Sequence, residues 1–202
     1  MSGQEAQPVV VLVGPPASGK STIARRLGHA LHLPVIDTDD LIAEREGKPC
    51  GEVLSTLGEP EFRRIEEQAI ADALHIRGIV ALGGGAVISE RTRAALMDHM
   101  VVYLHVTAEE GFQRASGNQS RPLLNVDDPA EAYRKLLEER QELYEEVASF
   151  RVRSGSSDPQ RVTTSILQYL EDSAPNTPST ECKSIAPNPF VRAPRPEPIQ
   201  EP

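Results

Sequence analysis

Apolar residues along the chain fall into short continuous runs that alternate with stretches of helical spacing. Val9-Val10-Val11-Leu12-Val13 has five apolar residues, four of them β-branched, and predicts a short buried strand. Ile23, Leu27 and Leu31 then recur at helical spacing. A second short strand is predicted over 33–36, helical material over 41–46 and 52–57, and a longer helix over about 59–75. Residues 79–82 read as a third strand that stops at Gly83-Gly84-Gly85, and a helix with Ser89 near its cap runs to about Asp98. Residues 101–106 predict a fourth strand and 108–115 a short helix. Residues 116–128 are polar and turn-rich, and a long helix follows over about 129–147. Residues 150–152 predict a fifth strand, and Asp158-Pro159 opens a last helix to about Leu170. Strands alternating with helices predict an α/β fold, a parallel sheet with helices on both faces. Ligands of such sheets bind at the carboxyl ends of the strands.

The segment between the first strand and the first helix carries the clearest chemistry. Gly14-Pro15-Pro16-Ala17-Ser18-Gly19-Lys20-Ser21 fits G-x-x-x-x-G-K-[ST], the phosphate-binding P-loop, in the strand-then-helix context it requires. Small residues let the backbone curl so that its N–H groups face a phosphate, and the helix start adds partial positive charge. Lys20 is placed to reach the β- and γ-phosphates, and Ser21 to put its hydroxyl on Mg²⁺. A second carboxylate is needed near that ion, and the third strand offers none. The second runs into Asp37-Thr38-Asp39-Asp40, so Asp37 is the candidate on the metal side, acting through a water. Asp39 could accept a proton from an attacking hydroxyl. The competing reading is that this run only caps the next helix.

Two helices place charge close to apolar stripes. In 59–75 the stripe is Phe62, Ile65, Ala69 and Ala73; Glu66 falls within it and Arg63 on its flank. Either Arg63 pairs with Glu66 and keeps donors for an anion, or Arg63 lies on a solvated face paired with Glu59 or Glu67. In 129–147, Tyr133, Leu136, Leu137, Leu143, Tyr144 and Val147 share a face with Arg140 in its middle. That arginine either pairs internally or meets an anionic ligand, and the second is favoured. The triple glycine puts backbone N–H groups at the ligand edge, although three glycines alone are often only a turn. Arg121 lies in a segment long enough to be a lid and could stabilise a transferring phosphoryl group; a surface arginine before a turn proline fits equally. Arg114 could stack on a base or simply be solvated. The five histidines form no triad or metal spacing.

Composition narrows the classes. At 202 residues with net charge −9, the chain suits one domain with a real core and disfavours nucleic acid or an anionic membrane as main partner. No apolar run approaches the roughly 20 residues of a membrane span. The polar residues 1–7 lack a signal-peptide layout, and a cytoplasmic protein is expected. Cys50 and Cys182 have no metal-like spacing and read as bystanders. Trp is absent and aromatics are only 4%, which argues against base-stacking platforms. From Ser173 the composition changes: the last thirty residues hold eight of the seventeen prolines. The expected organisation is therefore one domain over 1–172, with a lid at about 116–128, and a Pro-rich tail over 173–202 that is disordered and acts as a spacer.

From about Val9 to Leu170 the chain resembles the shikimate kinases. The resemblance is carried by Gly14 to Ser21, Asp37-Thr38-Asp39, Glu61-Phe62-Arg63-Arg64-Ile65-Glu66, Gly83-Gly84-Gly85-Ala86 and Arg121-Pro122-Leu123-Leu124. It implies a five-stranded parallel sheet in the nucleoside-monophosphate-kinase style with a mobile lid. It also implies a monomer that uses ATP and Mg²⁺ to phosphorylate the 3-hydroxyl of shikimate, on the chorismate route to aromatic amino acids. The ATP site would comprise Gly14, Pro16, Ala17, Ser18, Gly19, Lys20, Ser21, Thr22, Arg114, Arg121 and Pro159. Ser21 and Asp37 would hold Mg²⁺; Lys20, Asp39 and Arg121 would be catalytic. Asp39, Arg63, Glu66, Gly84, Gly85 and Arg140 would bind shikimate, with both arginines on its carboxylate. Three features depart from the family pattern. Ala17 stands where glycine is usual, tolerable only with a negative φ, so a slightly altered loop is expected. Ser156-Ser157-Asp158 replaces a stretch that often carries an arginine. Glu145-Glu146 stand where relatives can be basic. A kinase of another small hydroxy acid such as gluconate, and a nucleotide-binding regulatory module, are the alternatives; the intact Lys20, Ser21, Asp37 and Asp39 set disfavours the second.

Overall fold

Strand β1 (Val10–Val13) is buried along its whole length, and the sheet is built outward from it. The computed structural model describes residues 7–116, 128–155 and 157–173. β1 lies between β3 (Ile79–Ala81) and β4 (Val101–His105); β2 (Val35–Asp37) and β5 (Phe150–Arg153) form the edges. The order is β2-β3-β1-β4-β5 with every pair parallel. Successive side chains of a strand point to opposite faces, and this divides the core in two. Val11, Val13, Val80, Leu82, Val101 and Tyr103 face one layer, with Ile70, Leu96, Tyr144 and Val147 packed on them. Val10, Leu12, Ile79, Ala81, Val102 and Leu104 face the other, covered by Ile23, Leu27, Val162 and Ile166. The first layer belongs to helices α4 (Glu59–Ala73), α5 (Glu90–Leu96) and α7 (Pro129–Val147). The second belongs to α1 (Lys20–Leu31) and α8 (Pro159–Ser173). A sheet covered on both faces explains why its strands read as unbroken apolar runs.

A smaller third cluster joins Ile42 of α2 (Thr38–Glu46), Val53 of α3 (Cys50–Leu57), and Phe62 and Ala69 of α4. It makes a compact shoulder beside the sheet edge. Helix α6 (Ala108–Ser116) follows β4 and leads toward residues 117–127, so the expected lid falls almost wholly outside the described residues, as does the Pro-rich tail from residue 174. Several boundaries shift by a few residues from expectation, two of them for clear reasons. α2 starts at Thr38 rather than Leu41, because the Asp37 carboxylate accepts a hydrogen bond from the Asp39 N–H at 3.1 Å and caps the helix earlier. β2 covers 35–37 rather than 33–36, because its ladder with β3 pairs Val35, Ile36 and Asp37 with Ile79, Val80 and Ala81. α7 spans the expected Pro129–Val147, with Asp128 capping the N–H of Glu131 at 3.0 Å.

The backbone between β1 and α1 corrects one expectation. Ala17 does not have a negative φ; it lies at φ 65°, in the left-handed region, between Gly14 at φ 147° and Gly19 at φ 92°. The loop keeps its curl, and the methyl group is accommodated at a conformational cost of roughly 1–2 kcal/mol. Its neighbours hold it there. Tyr133 donates its hydroxyl to the Pro16 carbonyl at 2.7 Å, Ser154 donates to the Ser18 carbonyl at 2.8 Å, and the Ser18 N–H donates to the Pro15 carbonyl at 3.2 Å.

Two stability predictions follow from these backbone positions. Ala17→Gly should raise the thermal midpoint by about 1–4 °C, the strain relief less the added chain entropy of glycine; an unchanged or lower Tm would mean that residue 17 is not strained. Gly28→Ala should do the opposite, although alanine is the better helix former. An added Cβ at Gly28 would lie 2.4 Å from Val35 Cγ2 and 3.0 Å from the Leu33 carbonyl. Overpacking of roughly 1–3 kcal/mol should outweigh a propensity gain of about 1 kcal/mol. The urea midpoint should therefore fall at constant m-value.

Candidate functional site

The carboxyl ends of β1, β2 and β3 open on one cleft of about 940 Å³, lined from Pro16 in the phosphate loop to Val162 on α8. Pro16, Ala17, Ser18, Gly19, Lys20, Ser21 and Thr22 form its floor, whereas Gly14 lies buried beneath. An added Cβ on Gly14 would meet the Leu104 carbonyl at 2.6 Å, so this glycine lets the loop leave the sheet beside β4. Lys20 folds back on the loop, its Nζ donating to the carbonyls of Gly14 at 2.8 Å and Pro15 at 3.0 Å.

Ser21 and Asp37 converge. The serine hydroxyl donates to Asp37 Oδ2 at 2.6 Å, while Oδ1 of the same carboxylate caps α2. The capping and functional readings of the Asp37–Asp40 run therefore coexist on one side chain. A hydroxyl and a carboxylate side by side on the cleft floor suit Mg²⁺, which takes one or two protein oxygens and leaves its other positions to phosphate and water.

Asp39, two residues on, opens into the cleft, and its carboxyl is held above the usual carboxylate range. Partial loss of water around the recessed carboxyl is the main cause and repulsion from Asp37 the second, although the residue keeps an exposed edge; Lys20 and a hydrogen bond from Cys50 pull the other way. Cys50 donates its thiol to Asp39 Oδ1 at 3.7 Å. The cysteine read as a bystander thus stands at the cleft. Spacing carried no hint of this, because α3 brings it eleven residues back onto α2.

Farther along the cleft, Glu66 is only 3% exposed, and burial raises its carboxyl despite the nearby arginines. Arg63 Nη1 donates to Glu66 Oε2 at 2.6 Å, and Nη2 to Glu59 Oε1 at 3.0 Å. Of the partners left open by the helix spacing, Glu66 and Glu59 are engaged and Glu67 is not; it accepts from Ser89 instead. The two pairings are unequal: Glu66 is buried, whereas the Glu59 side chain is 64% exposed and its pairing correspondingly weak. Arg63 Nε is buried without a partner among the described residues.

Arg140 reaches the same region from α7. Its Nη1 donates to the Gly84 carbonyl at 3.3 Å, and among the described residues it has no ion pair. Tyr144 donates its hydroxyl to the same carbonyl at 2.5 Å, and burial pushes that phenol well up. The three glycines provide space rather than unusual dihedrals. An added Cβ would meet Asp39 Oδ1 at 2.6 Å from Gly83, Pro16 Cδ at 2.9 Å from Gly84, and Arg63 Nη1 at 2.4 Å from Gly85. The turn is thus where the phosphate loop, the carboxylates and the arginine come within touching distance.

At the opposite end, Arg114, Ser157 and Pro159 line the cleft. The Arg114 guanidinium donates to the Gly155 carbonyl, which fixes it on the wall. Asp158, in the stretch that departs from the family pattern, caps α8 by accepting from the Gln160 N–H at 3.0 Å. Glu145 pairs with Arg151 at 2.9 Å and Glu146 with Arg93 at 3.0 Å, so both acids are engaged away from Arg140. Arg121 lies outside the described residues. No helix among the described residues is long and apolar enough to cross a membrane.

Comparison with known proteins agrees with this architecture. The chain is 54% identical over 167 residues to a shikimate kinase of Corynebacterium efficiens, covering 83% of this chain and 99% of that protein. Among solved structures it superposes on shikimate kinase from Acinetobacter baumannii in complex with shikimate with a TM-score of 0.77. That match has 30% identity and covers 83% of this chain and 94% of that one. A gluconokinase from Sinorhizobium meliloti shares the fold at TM-score 0.57 and 18% identity, over 83% and 93% of the two chains. A family model described as shikimate kinase matches residues 16–171, and on these grounds the chain belongs to the shikimate kinase family.

Proposed function

We propose that this chain transfers the γ-phosphoryl group of ATP to the 3-hydroxyl of shikimate, giving shikimate 3-phosphate and ADP on the route to chorismate and the aromatic amino acids. The observation that carries the reading is one cleft holding a phosphate loop at its floor, the Asp39 carboxyl beside it, and two arginines around the buried Glu66. Family membership supports the same acceptor.

ATP lies along the loop, with its phosphates against the backbone of Gly19 and Lys20 at the start of α1 and its base toward Arg114 and Pro159. Ser21, with Asp37 acting through a water, would hold Mg²⁺, which would neutralise part of the phosphate charge. The acceptor places its carboxylate between Arg63 and Arg140. Glu66 keeps Arg63 aligned, and the exposed Glu59 gives way to the ligand. Gly84 and Gly85 leave room for the ring. Asp39 takes the proton of the attacking hydroxyl as its oxygen bonds to the γ-phosphorus, and the bond to the oxygen bridging the β- and γ-phosphorus breaks to release ADP. Lys20, and Arg121 from the lid, stabilise the charge spread over the transferring group. The described residues of this set meet in one cleft of one chain, and a monomer is proposed. A cytoplasmic site of action and a spacer role for the Pro-rich tail complete the proposal.

ADP release measured with shikimate, with gluconate and with no acceptor tests the reading. Turnover should require shikimate; equal turnover with gluconate, or without an acceptor, would overturn it. Asp39→Asn should lower kcat by about 10²–10⁴-fold while ATP binding persists. Arg140→Ala should raise the shikimate KM by roughly 10–100-fold with little effect on the ATP KM. The Asp39 variant should also be more thermostable than the parent at neutral pH. A carboxyl whose folded pKa is raised contributes its stability below the unfolded pKa and loses it as pH rises through the folded value. The advantage of asparagine should therefore shrink as pH falls toward the ordinary aspartate range, and Tm profiles of both proteins against pH measure it.

A further inference from the structure

Among the described residues, the carboxylate of Asp39 receives a single side-chain hydrogen bond, and it comes from Cys50. The two oxygens of that carboxylate are not equivalent. Oδ1 takes the thiol and lies over Gly83, where an added Cβ would come within 2.6 Å of it. Oδ2 has no such partner and is the oxygen left for an incoming hydroxyl. Around this pair the packing is thin. Asp39 and Cys50 both line the main cleft, and both also line a second hollow of about 470 Å³ whose other walls include Ala43, Gly47 and Lys48. The carboxylate therefore stands between two openings, and close-packed neighbours do not dictate its rotamer. The backbone that carries the thiol is held in place. Cys50 opens α3 directly after Pro49, whose carbonyl accepts from the N–H groups of Glu52 at 2.8 Å and Val53 at 3.0 Å. The side chain packs on the shoulder cluster of Ile42, Val53 and Phe62.

We propose that Cys50 is a positioning residue for the reaction: its thiol anchors Oδ1 of Asp39 and so directs Oδ2 at the acceptor hydroxyl. The inference rests on the reading of Asp39 as the base. Burial and the neighbouring carboxylates push the Cys50 thiol up to about 12, so at neutral pH it is a donor and not a thiolate nucleophile. A residue that only aligns the base acts on the chemical step and leaves ground-state binding nearly unchanged. A wall of the acceptor pocket would instead act on KM.

Cys50→Val keeps the approximate shape and removes the donor, whereas Cys50→Ser keeps a donor. With shikimate as acceptor, the valine variant should lose about three- to tenfold in kcat, with the shikimate and ATP KM values within about twofold of the parent. The serine variant should recover most of that loss. Thermal denaturation of both identifies any variant that has lost its fold, in which case Cys50→Ala replaces it. A parent-like kcat in a folded valine or alanine variant overturns the proposal, as does a loss confined to the shikimate KM or a serine variant no better than valine. Failure of the parent protein to phosphorylate shikimate would overturn the functional reading, and this inference with it, before any variant is compared.

Discussion

Glu66 carries a carboxylate into the apolar stripe of α4, where water cannot solvate it, and the acceptor end of the cleft is built on how that charge is satisfied. A buried charge must be paired or pay heavily, and Arg63 one turn earlier supplies the pair. The ion pair fixes a guanidinium against Gly85, whose missing side chain leaves it room. Arg140 also acts on the Glu66 carboxylate electrostatically, and Asp39 opposes it. One buried acid thus links two arginines with the carboxylate proposed to take the substrate proton. Breaking it would leave Arg63 with only the exposed Glu59 among the carboxylates now holding it.

The phosphate end depends on a different constraint, which is close approach of backbone. Gly84 lies against Pro16 of the loop, and its carbonyl accepts from both Arg140 and Tyr144. Tyr133, on the same helix, donates to Pro16. Helix α7 therefore braces the phosphate loop at one end and the glycine turn at the other, and carries Arg140 between them. This bracing also explains how Ala17 persists at φ 65° in a loop where glycine would be unstrained.

Much of this was legible in the residues alone. Unbroken apolar runs, a P-loop between strand and helix, and the alternation of elements specify a parallel sheet with its ligands at one edge. A spacing of three on a helix puts Glu66 within reach of Arg63 but leaves pairing with Glu59 or Glu67 on a solvated face equally open, whereas the placing of Arg140 follows from its position within an apolar face. Other features were hidden because they depend on segments distant in sequence. Cys50 gains significance only when α3 folds against α2, and Gly28 only when β2 packs across α1.

By itself the sequence determined the element types, the parallel topology class, the phosphate loop and the residue types at the acceptor end. Each of these rests on local spacing, backbone preference or side-chain chemistry, which neighbours in the chain can encode. Tertiary structure decided the strand order, the sharing of Asp37 between the α2 cap and Ser21, the left-handed Ala17, and the contact of Cys50 with Asp39. These depend on which atoms meet across a packed interior, and no pattern along one stretch of chain contains that distance.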